Sequence, residues 1–220
     1  MKYCENCGAE LEDSAVFCEE CGAKVETVPQ EKAVDSEQSK EAEKQDNAEI
    51  DDAVIDTIVF HIMNYNREDK GIDAKDRKPI ILYINSPGGS VYSGYALISA
   101  MQCSKTPIYT VNQGMCASMA FLIFLAGNKR FSMCNSTFLM HDGSNGIGFE
   151  SASKLRDRIE YETGQLEQHT KQFVLSRTSI DDKFYDDKYR VEWYMLPHEA
   201  KEHSICDYIV GEDCDLDEII

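Results

Sequence analysis

The chain has 220 residues, enough for one ordinary domain and a small additional module. Its 42% apolar residues are sufficient to build a globular core. With 40 acidic and 22 basic residues it has a net charge of −18, which argues against a duplex nucleic-acid surface, because such a surface needs clustered Lys and Arg.

The N-terminus lacks the apolar region of a secretory signal, and the longest apolar run, residues 115–126, is too short to span a bilayer. We therefore expect a cytoplasmic protein with no membrane partner. In that compartment the nine cysteines favour reduced thiols or metal sites over disulfides.

Residues 1–24 contain two Cys-x2-Cys pairs, each followed by Gly-Ala. Four thiolates on two tight turns match tetrahedral Zn²⁺, and a disulfide-linked or redox pair is the alternative. The segment resembles the short zinc ribbons at the ends of many bacterial proteins. Because so small a unit can hardly fold without the metal, the zinc is expected to be structural. The predicted ligands are Cys4, Cys7, Cys18 and Cys21.

Residues 25–48 are rich in acidic residues and lysine and contain almost nothing that a core would bury, so we expect a flexible acidic linker. A denser apolar pattern begins near residue 49, and the main domain is predicted over residues 49–220. Its first helix shows apolar residues at helical spacing, with Asp51 and Asp52 placed to begin it.

Strand-like and helix-like segments alternate through the main domain. Such alternation predicts a parallel α/β sheet. Strands are expected over residues 79–85, 108–111 and 136–141, and helices over residues 93–101, 118–127, 153–176 and 198–203.

Ser118 lies among small residues, after the second predicted strand and at the start of an apolar helix. A strand, a tight turn and a helix can expose a nucleophilic oxygen and leave the next backbone N–H free to hold an oxyanion. The plain alternative is a serine that caps the helix.

Two further segments follow predicted strands. Residues 85–90 contain Gly88-Gly89, which lets the backbone turn its N–H groups outward, although such a sequence is also an ordinary turn. His141 ends the third strand, where it is either a general base or a packed structural histidine.

Together these segments resemble the proteolytic subunit of the Clp protease, a serine peptidase of the crotonase-like superfamily. The motifs are Tyr83-Ile-Asn-Ser-Pro-Gly-Gly-Ser-Val91, Gly114-x-x-Ala-Ser118-Met-Ala120 and Phe138-Leu-Met-His141. The resemblance covers residues 49 to about 211. It implies a fold of parallel β-strands with flanking helices and a long handle helix.

The resemblance also implies the roles of individual residues. Ser118 is the nucleophile and His141 its base, which removes the serine proton and returns it to the leaving amine. The N–H groups of Gly89 and Met119 form the oxyanion hole. The chemistry itself needs no cofactor.

The third member of the triad is where this sequence departs from the family. The family has an Asp shortly before the segment that corresponds to residues 194–200, and counting back aligns it with Glu192. Asp186 and Asp187 are the second choice for the triad acid. The alternative for all three carboxylates is a solvated surface charge without a catalytic role. Asp142 stands where the family usually has Gln, and Cys116 is interpreted as a packing residue rather than a rival nucleophile.

The resemblance implies an ATP-dependent-type serine endopeptidase that cleaves unfolded polypeptides in an oligomeric chamber. Its expected partners are further copies of the chain in stacked heptameric rings and a Clp ATPase unfoldase. The zinc ribbon and linker replace the family's N-terminal hairpin, which docks the ATPase, and this weakens the inference that the chain works with a Clp ATPase. Two alternatives remain: another crotonase-like, acyl-processing enzyme, and a non-catalytic Clp-like ring subunit or zinc-ribbon adaptor.

Overall fold

The computed structural model describes residues 49–143 and 151–219, and the backbone of two short strands near the N-terminus. These strands, β1 (Lys2–Tyr3) and β2 (Glu10–Leu11), pair antiparallel. The chain divides into two units, Met1–Lys44 and Gln45–Ile220. The predicted boundaries after residues 24 and 48 stay predictions. In the described part of the chain no helix is long and apolar enough to cross a membrane.

The larger unit alternates strands and helices, as predicted. Its strands are β3 (Ile80–Ser86), β4 (Ile108–Ala117), β5 (Lys129–Met133), β6 (Thr137–Met140), β7 (Trp193–Met195) and β8 (Tyr208–Val210). Its α-helices are α1 (Asp52–Glu68), α2 (Val91–Cys103), α3 (Met119–Leu125), α4 (Ala152–Tyr161), α5 (Glu167–Arg177), α6 (Asp182–Tyr189) and α7 (Pro197–Glu202). Asp51 caps α1, as expected, since its side chain accepts a 2.8 Å hydrogen bond from the N–H of Val54.

The strands form one sheet in the order β7-β6-β4-β5-β8, with β3 also paired to β4. Four pairs are parallel, which confirms the α/β class. The sequence predicted a parallel sheet, and the pair β6–β7 departs from this prediction because it is antiparallel. An antiparallel edge strand is common on such sheets, and β7 is too short to show a pattern of its own.

Strand β4 is longer than predicted and bends, because it changes partners along its length. It pairs with β5 up to Asn112 and with β6 from Met115 onward, and its register with β3 shifts beyond Ile84. Two side-chain amides hold the bend: Asn85 Oδ1 accepts from the N–H of Met115 at 3.1 Å, and Asn112 Nδ2 donates to a β6 carbonyl at 3.0 Å. The strand therefore continues to the residue before Ser118.

The main core lies between one face of the sheet and helices α1, α2, α3 and α5. The Phe124 and Phe138 rings meet there with centroids 5.0 Å apart. A smaller cluster on the other face is formed by Val111, Phe131, Val210 and Ile219. Central members of the main core are Leu97, Met119, Phe121, Phe124, Phe138, Val174 and Tyr185.

The long helix predicted over residues 153–176 is present with an interruption. Helices α4 and α5 are joined by a π-helical turn, Glu162–Leu166, which contains Gly164. Helix α6, which follows, has no counterpart in the sequence-based prediction. It begins at the cap Asp181, whose side chain accepts from the N–H of Phe184 at 2.7 Å. Together α5 and α6 build a wall beside Ser118.

Candidate active site

The backbone of Ser118 is strained. It joins β4 to α3 with φ 54° and ψ −123°, and its side chain makes no capping hydrogen bond to the helix. Its N–H donates to the carbonyl of Leu139 at 3.0 Å, which holds the turn against β6. A non-glycine residue in this region is costly, and such strain is typical of a nucleophile on a sharp strand–helix turn. The helix-cap alternative does not describe this serine.

The glycine turn after β3 packs directly on Ser118. Gly88 has φ 105°, and a Cβ there would lie 2.7 Å from Ser118 Cβ and 2.8 Å from the Ala117 carbonyl. Only glycine therefore fits between β3 and the nucleophile turn. At Gly89 a Cβ would collide with the backbone of Ile50.

Among residues 49–143 and 151–219, the N–H groups of Gly89 and Met119 have no backbone hydrogen-bond acceptor. Gly89 bridges to Ile50 through two 2.8 Å bonds that use the Gly88 carbonyl and the Ser90 N–H, not its own N–H. Met119 is the first residue of α3, where an N–H has no acceptor within the helix. Both donors are therefore available to a ligand.

Ser118, Met119, Gly89 and His141 line one cavity of about 380 Å³. These are four of the five residues that were predicted for the chemistry. The rest of the cavity is walled by the start of α2, by α3, and by side chains from α5, α6 and the π-helical turn. The structure thus brings together the oxygen, the imidazole and both backbone donors.

His141 follows β6 and is half-buried. Its Nε2 is buried and has no hydrogen-bond partner among residues 49–143 and 151–219. A buried nitrogen without a partner is costly. Its position in the cavity makes it available to a substrate or to a rotated Ser118 hydroxyl.

Glu192 precedes β7 and is not part of the cavity wall. The register Met140↔Trp193 makes residues 141 and 192 the next position of the β6–β7 pair, so the two backbones are neighbours. The exposed Glu192 side chain instead accepts a 3.1 Å hydrogen bond from the Tyr194 hydroxyl, which raises the pKa of that phenol.

The two alternatives to Glu192 lie on α6. Asp186 forms a 2.7 Å ion pair with Lys171, and Asp187 is exposed. Neither lines the cavity as the structure describes it. Asp142, which follows His141 in the chain, does line the cavity and is exposed.

Cys116 is fully buried two residues before Ser118. Burial raises the pKa of its thiol well above the usual value, so the group stays protonated and weakly nucleophilic. The interpretation of Cys116 as a packing residue is confirmed.

Sequence reasoning missed the side chains that form the wall opposite the serine. Glu167 and Thr170 of α5, and Tyr185 and Tyr189 of α6, line the cavity. The sequence predicted α5 only as part of the long helix over residues 153–176, and α6 was not predicted. The i, i+4 spacing of the two tyrosines after the Asp181 cap was the available signal.

The four predicted zinc ligands, Cys4, Cys7, Cys18 and Cys21, lie outside the described residues. Residues 3–25 match the zinc-ribbon domain family, which supports the ribbon assignment. The donor set itself, four thiolates in two Cys-x2-Cys pairs, fits tetrahedral zinc.

A strained serine beside free backbone donors and a histidine, on an α/β sheet, is the arrangement of a serine hydrolase. Residues 37–213 match the Clp protease family, and the chain belongs to it. It is accordingly a serine peptidase of the Clp type.

Named relatives agree with this assignment. The ATP-dependent Clp protease proteolytic subunit 1 of Frankia casuarinae is 30% identical over 179 residues, covering 74% of each chain. Subunit 1 of Bacillus cereus is 31% identical over 171 residues, covering 74% of this chain and 81% of the relative. Subunit 2 of Treponema pallidum is 32% identical over 145 residues, covering 63% and 70%.

Proposed function

We propose that this protein is a serine endopeptidase of the ATP-dependent Clp protease type, with Ser118, His141 and Glu192 as its triad. The observation that carries the proposal is the strained Ser118 in one cavity with His141 and the donors of Gly89 and Met119. The family match and the relatives' names support peptide-bond hydrolysis as the reaction.

The residues divide the chemistry between them. His141 Nε2 takes the proton of Ser118 Oγ as that oxygen attacks the peptide carbonyl, and returns it to the leaving amine. The N–H groups of Gly89 and Met119 hold the oxyanion, and each such donor is worth about 3 kcal/mol of transition-state stabilisation. Water then hydrolyses the acyl-enzyme by the same route in reverse. Nε2 has no hydrogen-bond partner in the described part of the chain, and catalytic hydrogen bonds often tighten only in the complex.

Glu192 is the acid of this proposal because it aligns with the Asp of the family, and the β6–β7 register supports this choice, since it ends at Met140↔Trp193, the residues adjacent in the chain to His141 and Glu192. Its carboxylate must exchange the Tyr194 hydroxyl for the imidazole Nδ1–H. In that position it selects the tautomer with a free Nε2 and stabilises the imidazolium.

The substrates are unfolded polypeptides, and the assembly is a homo-oligomer of stacked heptameric rings in the cytoplasm, served by a Clp ATPase. The relatives' names carry the ATP-dependent part of this proposal. Exposed apolar side chains on two helices support burial against further copies of the chain. They are Phe60 and Met63 of α1, both about 60% exposed, and Ile159 and Tyr161 near the end of α4.

The N-terminal ribbon would hold Zn²⁺ through Cys4, Cys7, Cys18 and Cys21. The metal supplies folding energy to a segment too small for its own core, and it takes no part in peptide hydrolysis.

Labelling by a fluorophosphonate probe tests the nucleophile. We expect the probe to modify Ser118, and Ser118→Ala to lower hydrolysis of a short fluorogenic peptide by roughly 10⁴-fold or more at unchanged oligomer size. The matched control is Ser99→Ala, which removes an exposed serine of α2 whose hydroxyl donates to the Tyr95 carbonyl.

Retained hydrolysis in Ser118→Ala refutes the mechanism. Hydrolysis of acyl thioesters without labelling of Ser118 favours the crotonase-like alternative. Failure of the purified wild type to cleave any peptide favours a non-catalytic ring subunit or adaptor.

A further inference from the structure

The glycine turn after β3 is held by the residue that precedes the cap of α1. The N–H of Ile50 donates to the carbonyl of Gly88 at 2.8 Å, and the carbonyl of Ile50 accepts from the N–H of Ser90 at 2.8 Å. Ile50 is buried, and a Cβ on Gly89 would lie only 2.3 Å from its carbonyl oxygen. The backbone of Ile50 is therefore in direct contact with the turn that carries one proposed oxyanion donor.

This contact sets the direction of the Gly89 N–H. The peptide between Gly88 and Gly89 is trans, like every peptide bond in the described part of the chain. In a planar trans peptide the carbonyl and the N–H point in opposite directions. Because Ile50 holds the carbonyl of Gly88, the N–H of Gly89 in the same peptide points away from Ile50. The hydrogen bond from Ile50 thus determines where this donor points.

Three polar side chains join the start of α1 to the start of α2. The hydroxyl of Ser93 donates to the carboxylate of Asp52, the first residue of α1. The Ser93 oxygen also lies 2.6 Å from Oγ of Ser90, which caps α2 by accepting from the Ser93 N–H at 3.3 Å. Asp52 is two residues after Ile50, and Ser90 directly follows Gly89. These side chains therefore connect both sides of the backbone contact between Ile50 and the glycine turn.

The carboxylate of Asp52 has a role that its own helix does not explain. An acidic residue in the first turn of a helix is favoured by the helix dipole. Asp51 already caps α1 through the N–H of Val54. The Asp52 side chain instead reaches Ser93 of α2, which is 6% exposed. Hydrogen bonds to an ionised carboxylate are among the stronger ones in proteins, so this contact fixes the two helix starts relative to each other.

We propose that Asp52 and Ser93 are positioning residues for peptide hydrolysis. Their hydrogen bond keeps Ile50 against the glycine turn, and Ile50 keeps the Gly89 N–H aimed at the oxyanion. The benefit falls on the transition state rather than on substrate binding, because the oxyanion forms only there. This inference rests on the proposed peptidase function and assigns two further residues to it.

Steady-state hydrolysis of a short fluorogenic peptide by Ser93→Ala tests the proposal. We expect kcat to fall about tenfold with KM within about twofold, because a misdirected donor costs less than the roughly 10²- to 10³-fold loss on removing one. A peptide boronate forms a tetrahedral anion on Ser118 that needs the same donors. Its affinity should fall by about the same factor as kcat.

Asp52 is tested by a pair of substitutions. Asp52→Ala should reproduce the losses in kcat and boronate affinity, whereas Asp52→Asn, which keeps an acceptor for the Ser93 hydroxyl, should stay within about threefold of wild type. The double variant Asp52→Ala/Ser93→Ala should fall no further than either single variant, since both remove one hydrogen bond. The matched control is Asp56→Ala, which removes an exposed carboxylate one turn later in α1 and should keep kcat and boronate affinity within about twofold.

The proposal is overturned if folded Ser93→Ala keeps the kcat and boronate affinity of wild type, or if its loss lies in KM alone. It is also overturned if Asp52→Asn is impaired as much as Asp52→Ala. That second comparison, at an exposed position, decides the matter if Ser93→Ala fails to fold. These outcomes with an active wild type overturn this inference alone, whereas no cleavage by the wild type and no labelling of Ser118 overturn the proposed function with it.

Discussion

At the scale of single residues, backbone conformation separates a nucleophile from a helix cap. Both kinds of serine begin a helix, and both suit a sequence of small residues. Ser118 has a positive φ and no capping hydrogen bond, so its oxygen is not used by the helix. Gly88 makes this possible, because any side chain there would meet the serine Cβ.

The proposed triad acid, Glu192, can also be tested at the scale of a single residue. We expect Glu192→Gln to lower kcat by about 10³- to 10⁴-fold, because the imidazole loses the anion that fixes its tautomer. Asp186→Asn and Asp187→Asn, the matched neutralisations on α6, are expected to stay within about twofold of wild type. Steady-state peptide hydrolysis measures all three. Loss in either α6 variant with full activity in Glu192→Gln would reassign the acid.

At the scale of elements, one buried arginine connects three parts of the scaffold. Arg130 of β5 pairs with Asp207 at 2.6 Å and donates to the Arg177 carbonyl at the end of α5 at 2.7 Å. Arg177 in turn donates to the Leu125 carbonyl, the last residue of α3, at 2.8 Å. The cavity wall and the nucleophile helix are thereby joined to the sheet.

Removing this arginine should destabilise the fold. We expect Arg130→Met to lower the free energy of unfolding by about 2–4 kcal/mol, because the Asp207 carboxylate and the Arg177 carbonyl lose their side-chain donor. The exposed Arg156 of α4, whose pair with Asp157 is 3.4 Å, is the control, and Arg156→Met should change stability by less than about 0.5 kcal/mol. Urea unfolding measures both. Equal midpoints for Arg130→Met and wild type would contradict this role.

At the scale of the whole molecule, the described lining of the cavity belongs to the larger unit. The described residues that line it lie between Gly89 and Tyr189, far along the chain from the four predicted zinc ligands. Peptide hydrolysis and metal binding are therefore expected to be separable.

Metal analysis with and without a chelator tests that separation. We expect about one Zn²⁺ per chain, and its removal to make residues 1–24 sensitive to protease while hydrolysis of a short peptide stays within about twofold. A variant with Cys4→Ser and Cys7→Ser should behave like the chelated protein. Loss of short-peptide hydrolysis on chelation would show that the ribbon is needed for the chemistry.

The sequence by itself determined the α/β class and the family. It also determined the positions of Ser118, His141 and the glycine turn, because each of these three lies directly after a strand in a recognisable local motif. The C-terminal end of β4 was not predictable, since it depends on the Asn85 amide of β3 and on partner strands distant in the chain. Strand β7 was not predicted, because three residues are too few to show a pattern. The tertiary structure alone decided that α5 and α6 meet beside the serine, which makes Glu167 and Tyr185 part of its cavity. The physical reason is that a local sequence pattern indicates which face of a single helix or strand is buried. A site depends instead on which helices and strands pack against one another. Ser118 is thus visible in the sequence, and the wall that α5 and α6 add to its cavity is visible only in the fold.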